Sequence, residues 1–569
     1  MNKKKIVTVI CGTCLAASLA GAAVQAAEVE PAAITSGINV EALSDTISGT
    51  IHVDKLSTGA KAYIYVPDNE LYGIRATVAP ILIVYGNEPF SSESALETVY
   101  NSGLAAIADM EQTPVVLVNP LGEAWAEEDA GSLEAVKQLF ADGTDNEVRK
   151  SDYYLDGKNE DGAYAGSYTR LYLFGDGTGA DFIYSQLSKG VPGAGHFFGN
   201  AVYKPHAAFL MNPTVAEAID LAETDAREVP VVLVNAPEEV ASAYTALNTS
   251  VETVELQSDT TEGFDSELLL RAYHDVMEHY MVRVQSSVGL EYCETTLLRI
   301  PSNEELGLTE EKKEYTFEDG TALSYYQWAS GEENLPFLAV MHGSGSSAES
   351  LVWSAAIQEL AAEYGFNLIS MENYANADLD DDKLIEVIDF AAAETKSDTS
   401  RLYVGGFSLG SMRSWGLISK YSDHFAGAVL MNGFNLGMNE ESFSGAIPVF
   451  AYGGAESFLA DFLEFPSAEE NTQEKALLTA NGVTENFEFD PEYTWGMEPT
   501  QVYTVEAEDL PDLAIEISEF ASADGTVMTA FGSASSAGHE PLRVAAEEGW
   551  KLISKFSRQE DGSLQINEE

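Results

Sequence analysis

An internal repeat constrains the fold more than any other feature of this sequence. Arg170-Leu171-Tyr172-Leu173-Phe174-Gly175-Asp176-Gly177-Thr178-Gly179 aligns without a gap on Arg401-Leu402-Tyr403-Val404-Gly405-Gly406-Phe407-Ser408-Leu409-Gly410. Upstream, Ile81-Leu82-Ile83-Val84 running into Tyr85-Gly86-Asn87 parallels Phe337-Leu338-Ala339-Val340 running into His342-Gly343-Ser344. Downstream, Leu210-Met211-Asn212 parallels Leu430-Met431-Asn432, and Pro230-Val231-Val232-Leu233-Val234 parallels Pro448-Val449-Phe450-Ala451-Tyr452. Four blocks in one order at similar separations make the chain two copies of one unit. At 569 residues it is also too long for one ordinary core.

Each copy alternates short β-branched or aromatic runs with longer helical stretches. That is the pattern of a mostly parallel sheet covered by helices on both faces, an α/β fold. In the second copy a strand at Leu368 to Met371 precedes a helix from about Asp381 to Thr395, with Leu384, Ile385, Val387 and Ile388 on its apolar face. A strand from Arg401 to Val404 and a helix through Met412, Trp415, Leu417 and Ile418 follow. A helix over Leu268 to Val284 closes the first copy, and a polar connection near Ser286 to Pro301 separates the two. The expected domains are therefore residues 27–290 and 291–569.

The charge balance, 92 acidic against 29 basic residues for a formal net of −63, argues against a nucleic-acid or anionic-lipid partner, since both need Lys/Arg footprints. A hydrophobic content of 45% rules out a disordered chain. At the N-terminus Lys3, Lys4 and Lys5 precede an apolar run from Ile6 to Val24, closed by Val24-Gln25-Ala26. This reads as a secretory signal over residues 1–26, so the mature chain is expected outside the cytoplasm. Cys11 and Cys14 fall within it. Cys293 alone remains, so no intramolecular disulfide is expected. No later stretch reaches about 18 continuous apolar residues, so no membrane span is expected after cleavage.

Gly406-Phe407-Ser408-Leu409-Gly410 follows a buried strand and opens a helix, which are the parts of a nucleophile elbow. The turn lifts the serine hydroxyl clear of the sheet, and the helix N-terminus favours developing negative charge. A serine hydroxyl needs a base to become a nucleophile. Two histidines follow Ser408 in the chain. His424, in Tyr421-Ser422-Asp423-His424, reads as an exposed loop residue. His539 lies in the small-residue loop Ser536-Ala537-Gly538-His539-Glu540-Pro541, between a strand from Val527 to Phe531 and a helix from Leu542 to Phe556, and is the expected base. The orienting carboxylate belongs just after the strand Pro448 to Tyr452. Glu456 is the first candidate and Asp461 the reserve. The backbone amides of Leu409 and Ser344 are the expected oxyanion donors, and His342 reads as structural. No Gly-Lys-Ser/Thr follows the His342 loop, so it is not a phosphate loop. No histidine cluster implies a metal, and nothing implies an organic cofactor.

His342-Gly343-Ser344, the run from Asp398 to Met412, Gly454-Ala455-Glu456-Ser457 and Gly538-His539 resemble the secreted esterases of the α/β-hydrolase superfamily. The likeness is to the polyhydroxybutyrate-depolymerase-like and feruloyl-esterase-like group. It covers about residues 315–556, and the first copy only in outline. The resemblance implies two α/β-hydrolase-like domains and hydrolysis of an ester, small or polymer-linked, through an acyl-enzyme. Glu456 departs from it, since such enzymes more often place Asp there.

The first copy has Gly177 opposite Ser408 and Gly263-Phe264 opposite Gly538-His539, while Glu238 falls opposite Glu456. It lacks both nucleophile and base. It is expected to be an inert scaffold that packs on the second copy, or a surface that binds substrate or a partner. The insertion from Ser457 to Gln501 carries Phe458, Phe462, Phe465, Phe487, Phe489, Tyr493 and Trp495. These form either a small core of their own or a cap that walls a pocket. A serine peptidase with the same triad and a catalytically inert binding or cell-surface protein are the alternative functions.

Overall fold

The computed structural model describes residues 47–69, 72, 78–140, 158, 164–166, 170–188, 205–215, 228–249, 251–282, 297–433, 443–455, 472–508, 510, 513–559 and 561–567. Residues 1–26, expected to be a secretory signal, all three cysteines and the junction 283–296 lie outside them, as do Glu456 and Asp461. The chain divides into two compact units, one running up to Val282 with residues 294–300, the other from Pro301 onward.

The first unit holds β1 (Gly49–Lys55), β2 (Lys61–Pro67), β3 (Ile81–Tyr85), β4 (Val115–Val118), β5 (Leu171–Asp176), β6 (Ala207–Met211), β7 (Val231–Val234) and β8 (Thr253–Leu256). They form one sheet in the order β1-β2-β4-β3-β5-β6-β7-β8. β1 and β2 run antiparallel to their neighbours, and every pairing from β4 to β8 is parallel. A separate strand pair joins β9 (Tyr280–Val282) to β10 (Leu297–Arg299).

The second unit holds β11 (Thr309–Thr316), β12 (Ala322–Ala329), β13 (Phe337–Met341), β14 (Asn367–Met371), β15 (Leu402–Phe407), β16 (Gly427–Met431) and β17 (Val449–Gly454). It continues with β18 (Gln501–Glu506), β19 (Ala514–Ala521) and β20 (Val527–Ala534). Their order is β11-β12-β14-β13-β15-β16-β17-β20-β19-β18. Its first seven positions repeat those of the other sheet. β20 takes the place of β8, and β18 and β19 are an antiparallel extension beyond it. The chain is thus an α/β protein of two units, each built on a mostly parallel sheet of the same strand order.

The central strands explain themselves. Phe337–Met341, Asn367–Met371 and Gly427–Met431 are buried at every position, as strands covered on both faces must be. One face packs beneath Trp415, Leu417, Ile388 and Trp495, the other beneath Trp550, Leu351 and Leu360. The helix Asp381–Glu394 starts where the Asp380 side chain accepts from the Lys383 amide, and it buries Leu384, Val387, Ile388 and Ala391.

Two expectations change. The helix expected over Leu268 to Val284 is Ser266–Asp275, because Val276 leaves helical geometry at φ −130° and Tyr280–Val282 pairs as a strand instead. Tyr280 and Val282 are an aromatic and a β-branched residue, which fit a pleat better than a helix turn. In the insertion, Trp495 is buried 4.9 Å from the Phe531 ring, and Phe487 packs on the same core beside Leu477 and Leu478. These aromatics are core, not pocket wall. Phe458, Phe462 and Phe465 lie outside the described residues. Among the described residues no helix is long and apolar enough to cross a membrane.

Candidate active site

The strand β15 ends at Phe407 and the helix Leu409–Lys420 begins two residues later. Ser408 makes the turn alone, at φ 52° and ψ −116°. Such backbone geometry costs an L-residue of order 1–3 kcal/mol, so the surroundings must hold it. They do so through its own amide, which donates to the Met431 carbonyl at 2.9 Å. The flanking glycines leave room for the turn. A Cβ at Gly406 would lie 2.4 Å from the Gly410 carbonyl carbon, and one at Gly410 would lie 1.9 Å from the Met341 oxygen.

The His539 Nε2 lies 2.8 Å from Ser408 Oγ, within reach for the hydroxyl to donate to the ring. The Phe407 ring packs against the imidazole, centroids 5.0 Å apart. The two remaining histidines of interest are engaged elsewhere. His424 pairs with Asp389 at 2.9 Å, and the His342 ring nitrogens sit 2.7 Å from the carbonyls of Gly343 and Glu372. His342 therefore holds its loop to the turn after β14.

Glu456 and Asp461, the two acid candidates, lie outside the described residues. The chain leading to them does not. Gly454 approaches so closely that a Cβ there would lie 2.0 Å from the Gly538 carbonyl oxygen, and the Ala455 amide donates to Ala534 at 2.9 Å. The strand end before Glu456 is therefore in contact with the loop that carries His539.

Leu409 takes the first position of its helix, where the amide has no acceptor within the helix. The His342 loop lies against the elbow, since a Cβ at Gly343 would sit 3.3 Å from that of Ser408. Ser344 follows directly, and Ser347 then caps the next helix by accepting from Ser350. Among the described residues no group of histidine, cysteine and carboxylate side chains is disposed to hold a metal ion.

One residue escaped the sequence reading. Asn432 is buried just past β16, and its Nδ2 donates to the Gly538 carbonyl at 3.2 Å. The signal was the repeated Leu-Met-Asn block, read there only as alignment.

The first unit keeps the turn and fills the space above it. Gly177 has φ 53°, and its amide donates to the Met211 carbonyl at 3.0 Å, as Ser408 does to Met431. Asn87, which the strand registers place opposite Gly343 rather than opposite Ser344 as the sequence alignment has it, accepts from the Thr178 amide at 3.0 Å and receives the Thr178 hydroxyl on its carbonyl at 2.8 Å. A Cβ at Gly177 would lie 2.4 Å from Asn87 Oδ1. Phe264, opposite His539 in the repeat, packs against Phe209 with centroids 6.2 Å apart. Its neighbour Gly263 donates its amide to Asp176, whose carboxyl is pushed up by burial. Glu238 is the exposed first residue of the helix Glu238–Leu247.

No protein-family profile matches the chain, and no curated protein is similar to it in sequence. Several solved structures are similar to part of it. An S-formylglutathione hydrolase from Staphylococcus aureus is 15% identical over 27% of this chain and 80% of its own, with a TM-score of 0.24. A feruloyl esterase module from Clostridium thermocellum is 14% identical over 44% and 88%, with a TM-score of 0.28. An acetyl xylan esterase from Aspergillus awamori is 14% identical over 41% and 94%, with a TM-score of 0.29. Likenesses at this level assign no activity to this chain.

Proposed function

We propose that the second unit is a serine hydrolase that cleaves carboxylic esters through an acyl-enzyme on Ser408. The observation that carries the reading is the 2.8 Å contact between His539 Nε2 and the hydroxyl of a serine held in left-handed geometry between a strand and a helix. Ser408 Oγ attacks the ester carbonyl as its proton passes to His539 Nε2. The oxyanion forms against the amides of Leu409 and Ser344. When the tetrahedral adduct collapses, the C–O bond to the alcohol breaks and His539 returns the proton to that oxygen. Water then attacks the acyl-serine by the same route and releases the acid. Ester over amide rests on the motif resemblance to secreted esterases, and the Lys3 to Ala26 segment supports export.

Labelling the pure protein with a fluorophosphonate, mapping the labelled peptide, and screening p-nitrophenyl, acetyl-sugar and feruloyl esters tests this reading. A label on the peptide holding Ser408, with turnover of at least one ester class, is the expected result. An unlabelled Ser408 would end it.

Glu456 is the carboxylate that orients His539, because it stands one residue beyond a segment bonded to the His539 loop. Glu456→Gln is expected to lower kcat by about 10²–10⁴-fold with KM little changed, while Asp461→Asn leaves kcat within about twofold. The reverse pattern in steady-state kinetics moves the role to Asp461.

The first unit is proposed to be inert, with scaffolding as its part. Gly177→Ser is expected to yield no second labelled serine, because the new side chain meets the Asn87 carboxamide and the repeat has Phe264 opposite His539. Peptide mapping after fluorophosphonate treatment checks it. A label at residue 177 would overturn the reading.

A further inference from the structure

We infer that Asn432 is a positioning residue that holds the base His539 against Ser408, an inference that rests on the serine hydrolase reading of the same site. Nucleophile and base come from loops after different strands, β15 and β20, so something must tie those loops together. The two residues that end and follow β16 do it. The Met431 carbonyl accepts from the Ser408 amide at 2.9 Å. The Asn432 amide donates to the Tyr452 carbonyl of β17 at 2.7 Å. The Asn432 side chain then donates to the carbonyl of Gly538, the residue before His539, at 3.2 Å. Nucleophile, acid strand and base loop thus converge on one dipeptide. Asn432 is fully buried and adopts φ 52°, which asparagine tolerates better than other side chains do.

The first unit separates the backbone role from the side-chain role. Asn212 has the same φ of 52°, and its amide donates to Val234 at 2.9 Å. Its side chain, however, donates to Asp176 and accepts from Asn235, and no carbonyl of a base loop is its partner in these bonds. The left-handed turn therefore belongs to the fold of both units, while the bond to the loop belongs to the unit that holds His539.

Asn432→Gly keeps the left-handed backbone and removes only the carboxamide. Asn432→Asp keeps the shape and sets a carboxylate against the Gly538 carbonyl. If the glycine variant does not fold, the aspartate variant carries the test. Kinetics on p-nitrophenyl acetate are paired with the rate at which diethyl pyrocarbonate modifies His539, followed by peptide mass spectrometry, which needs no activity. Folded Asn432→Gly is expected to lose about 10–100-fold in kcat with KM nearly unchanged, because a reacting group displaced by an ångström costs on that order. His539 is expected to be modified several-fold faster. If kcat and His539 modification both stay within about twofold of the parent in a folded variant, the inference fails. If the parent proves inactive yet Asn432→Gly still exposes His539, the positioning stands and the hydrolase reading is what falls.

Discussion

Ser408→Ala is expected to abolish ester hydrolysis and fluorophosphonate labelling while the protein still folds. Removing the nucleophile of such a triad costs roughly 10⁴–10⁶-fold in kcat, the residue of rate coming from binding and the oxyanion donors. The fold should survive because the change deletes one oxygen and leaves the Cβ. The turn is held by the Ser408 amide on Met431 and by its flanking glycines, none of which the substitution touches. What the hydroxyl contributes to stability is its bond to His539, worth about 1 kcal/mol either way. Thermal melting within a few degrees of the parent, together with silent kinetics and labelling, is the full expected result. Turnover that persists in the variant, or a label on another serine, would place the chemistry elsewhere.

Gly410→Ala should do the opposite, damaging fold and activity together. The added Cβ would lie 1.9 Å from the Met341 oxygen and 2.3 Å from its carbonyl carbon. Both are backbone atoms, so no rotamer change relieves the overlap, and the helix must move away from β13. Forced separation in a close-packed core costs roughly 2–4 kcal/mol. Ser408 opens that same helix, so kcat/KM should also fall by about 10²-fold or more. Gly445→Ala is the control. Its Cβ would find its nearest neighbour at 3.6 Å, and its effect should stay within about 0.5 kcal/mol. Urea unfolding of both variants, read with their kinetics, tests the contrast. A Gly410→Ala protein as stable as the control would mean that the elbow is not packed as described.

The sequence by itself determined the repeat, the α/β class, and the turn at Ser408 with His539 as the histidine to be brought against it. These were legible because their causes are local or strongly constrained. Continuous apolar runs specify buried parallel strands, and glycines at the flanks of Ser408 specify a turn too tight for side chains. Of the two histidines that follow Ser408, only His539 lies in the small-residue loop beyond the Val527 strand, where the motif resemblance expects one. The tertiary structure decided the rest. That Asn87 fills the first elbow depends on a contact between residues 91 apart in the chain. That Asn432 holds the His539 loop depends on one across 106 residues. Neither asparagine carries its partner in its sequence neighbourhood, since a carboxamide donates and accepts equally well in either setting. Trp495 and Phe487 make the same point in apolar terms. An aromatic in an insertion has the same affinity for a core as for a pocket wall, and only the surface brought against it chooses between them. Here that surface is the face of β20 at Phe531, which lies on the core side of the sheet.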